Sequence, residues 1–307
     1  MLRDRGMEVS DDVARQWLSV VSYYRLSGYW YLTRVADPTN PDKRLDSFSP
    51  GTTFSDVVQL YEADLKLRTL IHDGIERIEI ACRTQLIGVL RGNEALAYLK
   101  PSSMYRDNFD LESWWKTASK RVSRARKHHK AVEHYSKNYK EQFPLWVLAE
   151  VLDFSDTSKL FQGLSFQKQR RIAENLGLRI DMNRLSKTQR KKLHKKHPLA
   201  NWLEQLSVLR NYCAHHSRVW NSSYVPVPTN ALKTIPGLES LPTGQSEKIY
   251  GALVIMTKLL ETISPRSSWK RGVRALLEEN FLTNKLVDSE DLGIPERWAD
   301  EPIWQTG

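Results

Sequence analysis

Between Thr53 and Arg91 the chain reads TFSDVVQLYEADLKLRTLIHDGIERIEIACRTQLIGVLR, with no proline and with apolar residues returning at helical spacing throughout. Phe54, Val57, Val58, Tyr61, Leu65, Ile71, Ile75, Ile78, Cys82, Leu86 and Leu90 make one sustained stripe. Strand signals are few, so the pattern predicts a long core helix closed by Gly92, with Gly74 as a place where it bends. The rest of the chain must be accommodated around that helix.

The other periodic segments are also helical. EVSDDVARQWLSVVSYYRLSGYWY starts at Ser10, carries Val13, Trp17, Val20, Val21 and Tyr24 on one face, and is expected to break at Gly28. From Pro38 to Pro50, PTNPDKRLDSFSP is rich in turn formers and reads as a surface loop. After a turn at Pro101, LESWWKTASKRVSRARKHHKAVEHYSKNYK reads as a helix or a pair of helices. Pro144 opens an apolar helix, and Ser155 with Asp156 resembles a cap for a short helix through Leu160. Pro198 opens another helix, NSSYVPVPTN is a loop, SEKIYGALVIMTKLLETI is an apolar helix, and GIPERWADEPIW is an irregular tail. No repeat and no strand set large enough for a sheet is present, so the expected architecture is all-α. We expect a single domain over residues 1–307, with a helical core at about 10–265 and an extension at 266–307.

Ten tryptophans within 40% hydrophobic residues are ample for a real core in 307 residues. A formal charge of +10 favours polyanionic partners. The charge is concentrated in SKRVSRARKHHK and SKTQRKKLHKKH, either of which would attract an RNA backbone without reading its sequence. The second run immediately precedes the helix opened by Pro198, which assigns RNA contact to Arg190, Lys191, Lys192, Lys195 and Lys196. Cys82 and Cys213 have neither CxxC nor Cys/His zinc spacing, so no metal site is expected and a reduced compartment is. MLRDRGMEVSDD has no apolar targeting region and no apolar stretch approaches the ~20 residues of a membrane span, which points to the cytoplasm.

The helix after Pro198 ends in VLRNYCAHHSRVW. At about 100° per residue, Trp202, Leu203, Leu206, Leu209 and Cys213 form its core stripe, and Arg210 falls inside that stripe. A guanidinium cannot lose its charge, so it must meet a carboxylate such as Glu76 or Glu79, a polar cleft, or another subunit. Asn211 and His215 lie together on the stripe's edge and His216 lies further round; one bland role for His215 is to cap the helix. Arginine, asparagine and histidine together offer an anion clamp, an orienting amide and a residue type that titrates near neutrality. That combination suits chemistry at a phosphate without a metal.

RNYCAH, Arg210 through His215, resembles the Arg/His signature of HEPN domains. In order along the chain, YYRLSGYWY, LYEADLKLRTLIHDGIERIEIACRTQL, PLWVLAEVLDFSDTSKL, WLEQLSVLRNYCAHHSRVWN and GIPERWADEPIW resemble the AbiD/AbiF family of bacterial abortive-infection proteins. The likeness covers about residues 3 to 304. It implies a HEPN-like helical bundle and a metal-independent, cofactor-free endoribonuclease, the toxin of an anti-phage system restrained by an RNA or another inhibitor. It also implies a homodimer whose two motifs share a composite site.

In that scheme the 2′-hydroxyl attacks the adjacent phosphorus, leaving a 2′,3′-cyclic phosphate and a 5′-hydroxyl. Arg210 holds the phosphate, Asn211 orients, and His215 moves the proton, with His216 as its rival at an equally fitting spacing. Glu76, Arg77, Glu79 and Arg83 match the family's ERIE…R pattern; they are read either as active-site support or as an ordinary helical charge network. Arg25, Tyr24, Tyr29 and Trp30 are candidates for holding phosphate or stacking bases, with core packing the stronger reading for Trp30, and Arg218 joins the RNA-binding set. The alternative function is a non-catalytic RNA-binding scaffold in phage defence.

Overall fold

The computed structural model describes residues 1–91, 94–100 and 103–305, apart from the side chains of residues 41 and 42. The expected helix closure at Gly92 and turn at Pro101 therefore lie outside the described residues.

The first helical segment is two helices, α1 (Asp11–Val20) and α2 (Tyr23–Trp30). The break falls at Val21 and Ser22, not at Gly28: Val21 is extended and the Ser22 hydroxyl accepts from the Arg25 N–H, starting a new helix. Gly28 lies inside α2 with open space beside it, and helices tolerate such a glycine at a cost of about 1 kcal/mol. Restarting the helix resets its wheel for Tyr24, which is 88% exposed, and Val20, at the end of α1, is 78% exposed, so the two share no core face.

The segment expected as a loop forms a hairpin, β1 (Arg34–Asp37) with β2 (Asn40–Phe48), paired antiparallel as Arg34 with Phe48 and Ala36 with Arg44. Two register irregularities interrupt it. A bulged, polar ribbon lacks the strict alternation by which a strand is recognised, so its turn formers are the stronger signal in the sequence.

Thr53 caps α3 (Phe54–Leu90), 37 residues of continuous helix. Gly74, the place expected to bend, lies inside this unbroken run. A Cβ there would stand 2.6 Å from Met256 Cε and 2.8 Å from Trp269 Nε1, so the glycine lets two neighbouring helices approach the α3 backbone. The expected stripe is buried except for Leu65, which is 46% exposed. At that turn the core face passes through Asp64 and Arg68, both buried, and rotates away from Leu65.

The chain continues through α4 (Leu111–Ala125), α5 (Lys130–Asn138), the single turn α6 (Leu145–Leu148) after Pro144, α7 (Phe154–Gly163) and α8 (Phe166–Asn175). Ser155 and Asp156 are not the cap of α7: Asp153 is, in a reciprocal box with Asp156 three residues on. Then come α9 (Lys187–Lys195), α10 (Pro198–Ala214), the short pair of β3 (Val227–Pro228), within the expected loop, with β4 (Gln245–Ser246), at the start of the expected apolar helix, α11 (Ile249–Ile263), α12 (Trp269–Leu276) with a π turn, and α13 (Ser289–Leu292). The architecture is all-α, with two small strand pairs as its β structure among the described residues.

α3 is the axis, contacting α2, α7, α8, α10, α11 and α12. Trp202, Leu203, Leu206 and Leu209 of α10 are fully buried, each worth roughly 2 kcal/mol of apolar burial. The tail packs back on α11, where Trp304 Nε1 donates to Tyr250 Oη at 3.0 Å. Among the described residues no helix is long and apolar enough to cross a membrane.

Candidate active site

The polar end of α10 is shaped by how the helix stops. His215 is its C-cap, and His216 adopts φ +57°, the left-handed conformation that glycine usually supplies after a helix. The His216 N–H donates to the Cys213 carbonyl at 3.0 Å and the Ser217 N–H to the Tyr212 carbonyl at 2.8 Å, completing the helix-ending turn. Asn211 and His215 stay exposed, whereas the turn carries His216 back toward α2 and α3.

A buried carboxylate fixes the chain beyond this turn. Asp64 Oδ1 accepts from the Val219 N–H at 3.2 Å and the Trp220 N–H at 3.0 Å, while Oδ2 accepts from Tyr29 Oη at 2.7 Å and from Arg68. Burial pushes the Asp64 carboxyl up, and the Arg68 guanidinium and the three other donors pull it back down. Two arginines then clasp α2 to the turn in opposite directions. Arg25 donates to the His216 carbonyl, and Arg218 donates to the Gly28 carbonyl. These guanidiniums, expected on RNA, each hold a backbone carbonyl. Tyr29 and Trp30 are core residues, and Tyr24 remains exposed.

The result is an open cleft of about 870 Å³ lined by Arg25, Arg68, His72, Glu76, Cys213 and His216 among others. His216 lines it; His215 does not. His72 is a residue that sequence reasoning missed, and its signal was present: Arg68, His72 and Glu76 are spaced four apart and share one face of α3. Of the cleft's charges, Arg68 is paired with Asp64 and Asp73 with Arg77 at 2.9 Å, which leaves two histidines and Glu76 as groups able to move protons. Cys213 is no nucleophile, because burial pushes its thiol up to about 12.

Arg210 is half-buried, and no carboxylate of the described residues stands within 4.0 Å of it. Glu79 feels its charge: that carboxyl is raised by burial and drawn back first by Arg83 and then by Arg210. Arg83 pairs with Glu79 and donates to the Leu152 carbonyl at 2.6 Å, tying α3 to the approach of α7. Glu76 and Glu79 thus belong to different settings, Glu76 to the open cleft and Glu79 to a half-buried charge network beneath Arg210. Among the described residues no three His, Cys, Asp or Glu side chains gather as a metal site.

The basic residues Arg190, Lys191, Lys192, Lys195 and Lys196 are all exposed on or just after α9. Lys195 and Lys196 border a second cleft of about 460 Å³ between α9, α4 and α7. His197, between α9 and α10, is buried; its Nδ1 accepts from the Leu199 N–H at 3.2 Å, and burial lowers it to about 4.

No curated protein and no solved structure matches the chain. A family model described as Abi-like protein does match it, over residues 16–221, from α1 through the pinned turn after α10. With more than half of its length inside that match, the chain belongs to the Abi-like protein family.

Proposed function

We infer that this protein is a metal-independent endoribonuclease of bacterial abortive infection, a cytoplasmic toxin held in check by an RNA or another inhibitor until phage arrives. The observation that carries the reading is the convergence of His216 with His72 in one open cleft beside the arginine motif helix. Cleavage by 2′-hydroxyl attack needs one group to take the hydroxyl proton, another to protonate the departing 5′-oxygen, and a cation for the phosphate. His216 serves as the base, His72 as the acid, and Arg210, which stands outside the cleft in the single chain, as the phosphate clamp brought to it by a second copy, with Asn211 orienting the strand beside it.

Leu65 and Ile80, exposed on α3 either side of His72 and Glu76, suit a second copy closing over the cleft, each chain contributing Arg210 and its histidines. The attraction between Arg210 and Glu79 favours the second reading, an RNA-binding scaffold in which the motif is structural.

Cleavage of cellular RNA in excess EDTA tests the choice. Activity in the wild type, with at least a hundredfold loss in Arg210→Ala and His216→Ala but not in His215→Ala, is expected on the order of a removed acid-base group. Full activity in Arg210→Ala, or activity abolished by EDTA, contradicts the mechanism.

A further inference from the structure

We propose that the cleft between α4, α7 and the end of α9 takes one nucleotide of single-stranded RNA, its phosphate on Lys159 and Lys195 and its base against Phe109. This site is separate from the His216 cleft.

Its volume of about 460 Å³ is in the range of small-ligand sites. Neither Lys159 nor Lys195 has a carboxylate within 4.0 Å among the described residues, and both border the cleft. Lys196 is only loosely engaged, 3.5 Å from Glu204. The acids of the cleft, Asp110 and Asp156, are outnumbered by Arg106, Lys159, Lys195 and Lys196. Asp156 is paired with Arg121 at 2.8 Å, and Asp110 is the cap of α4, accepting from the Ser113 N–H at 2.8 Å. Because that carboxylate already occupies the start of α4, an anion is held on the lysine side of the cleft and not by the helix end.

Beside Lys159, where Gly163 of the same helix packs on it, Phe109 supplies an apolar surface in a fixed position. Phe109 stacks on Tyr105 at 5.4 Å, and a Cβ on Gly163 would come within 2.5 Å of its ring, so backbone packs tightly against it. Its remaining surface lines the cleft, with the Ser113 and Thr117 hydroxyls one helical turn apart beside it. Lysines, an aromatic ring and hydroxyls in one small cleft match a nucleotide from an unpaired strand. Duplex RNA keeps its bases stacked and is read by shape across its grooves, so it has no base to insert. Lys191 and Lys192, exposed on α9 one helical turn before Lys195, put further positive charge next to the cleft.

The test is binding of a short fluorescent oligouridylate to protein carrying Arg210→Ala, so that cleavage plays no part and the ribonuclease reading stands or falls elsewhere. Lys159→Glu/Lys195→Glu is expected to weaken binding at least about tenfold and to lower the slope of log affinity against log salt by about 0.7, one phosphate contact's worth. The charge-matched pair Lys127→Glu/Lys130→Glu should leave both unchanged, and a 5-iodouridine oligomer should photocrosslink to Phe109. Equal weakening by the two double variants, a crosslink that avoids Phe109, equal affinity for duplex RNA, or displacement by polyglutamate would overturn the proposal. So would displacement of the oligomer by equimolar uridine monophosphate, which would assign the cleft to a free nucleotide.

Discussion

SKRVSRARKHHK and SKTQRKKLHKKH look interchangeable in the sequence, and the fold treats them in opposite ways. In the first, at the end of α4, Arg121 pairs with Asp153 and Asp156 at 2.7 and 2.8 Å, Arg124 with Asp153 at 3.4 Å, and Arg126 with Glu141 at 2.7 Å. In the second, on α9, Lys196 alone has a carboxylate partner among the described residues, and Arg190 turns back to its own Leu185 carbonyl. The first run is an arginine clamp that holds the approach to α7. The second leaves its lysines to solvent and, on our reading, to RNA. The residue types fit the roles, since arginine forks suit fixed carboxylates and lysines remain mobile, hydrated point charges.

The comparison breaks most visibly at Arg121. Arg121→Met leaves Asp156, 2% exposed, without its guanidinium, so a loss of roughly 3–5 kcal/mol in urea unfolding is expected. A loss as small as that of a surface lysine would show that the first run is as idle structurally as the second.

His197, where the free run joins α10, comes next. Its folded value of about 4 lies below the ordinary 6.5, so between those pH values the unfolded chain binds a proton that the folded chain refuses. Stability from this group is complete above about pH 6.5, and roughly 3 kcal/mol of it is lost as the pH falls to 4. His197→Asn, which keeps a capping side chain, should lack that part of the pH dependence; parallel curves for variant and wild type would refute the assignment.

On α9 itself, Lys191→Glu/Lys192→Glu/Lys195→Glu should cost about a hundredfold in RNA affinity, near 2.7 kcal/mol, with a salt slope lower by about 2 and no change in melting temperature. An unchanged affinity would make the two runs equivalent after all. The smallest effect lies outside both. His216→Gly relieves the left-handed conformation and should stabilise by about 0.5–1 kcal/mol while lowering cleavage, with the RNA salt slope untouched. A destabilised glycine variant would mean that the turn carries no strain.

The helical skeleton was legible because its signal is local. α3 and the core stripe of α10 follow from spacing alone, and the tail tryptophans were visible as residues though not as partners of Tyr250. The hairpin was hidden by its own irregular register. No local pattern singles out Asp64 and Arg68 among the charges of α3, because their burial depends on Val219 and Trp220, more than 150 positions from Asp64. The same distance hid the cleft. His72 shares it with His216 only once Asp64, Arg25 and Arg218 have pinned the turn, and no local pattern announces such a long-range clasp. The sequence shows Arg25 and Arg218 only as charges that would suit RNA, whereas their hydrogen bonds to backbone carbonyls arise only in the fold.

The central claim is that this cleft cleaves RNA by internal attack of the 2′-hydroxyl, and the chemistry of the product ends tests it most directly. RNA cut by the purified protein in EDTA should carry 2′,3′-cyclic phosphates and 5′-hydroxyls that a polynucleotide kinase labels without prior phosphatase treatment. Products bearing 5′-phosphates, or intact RNA, would contradict the account.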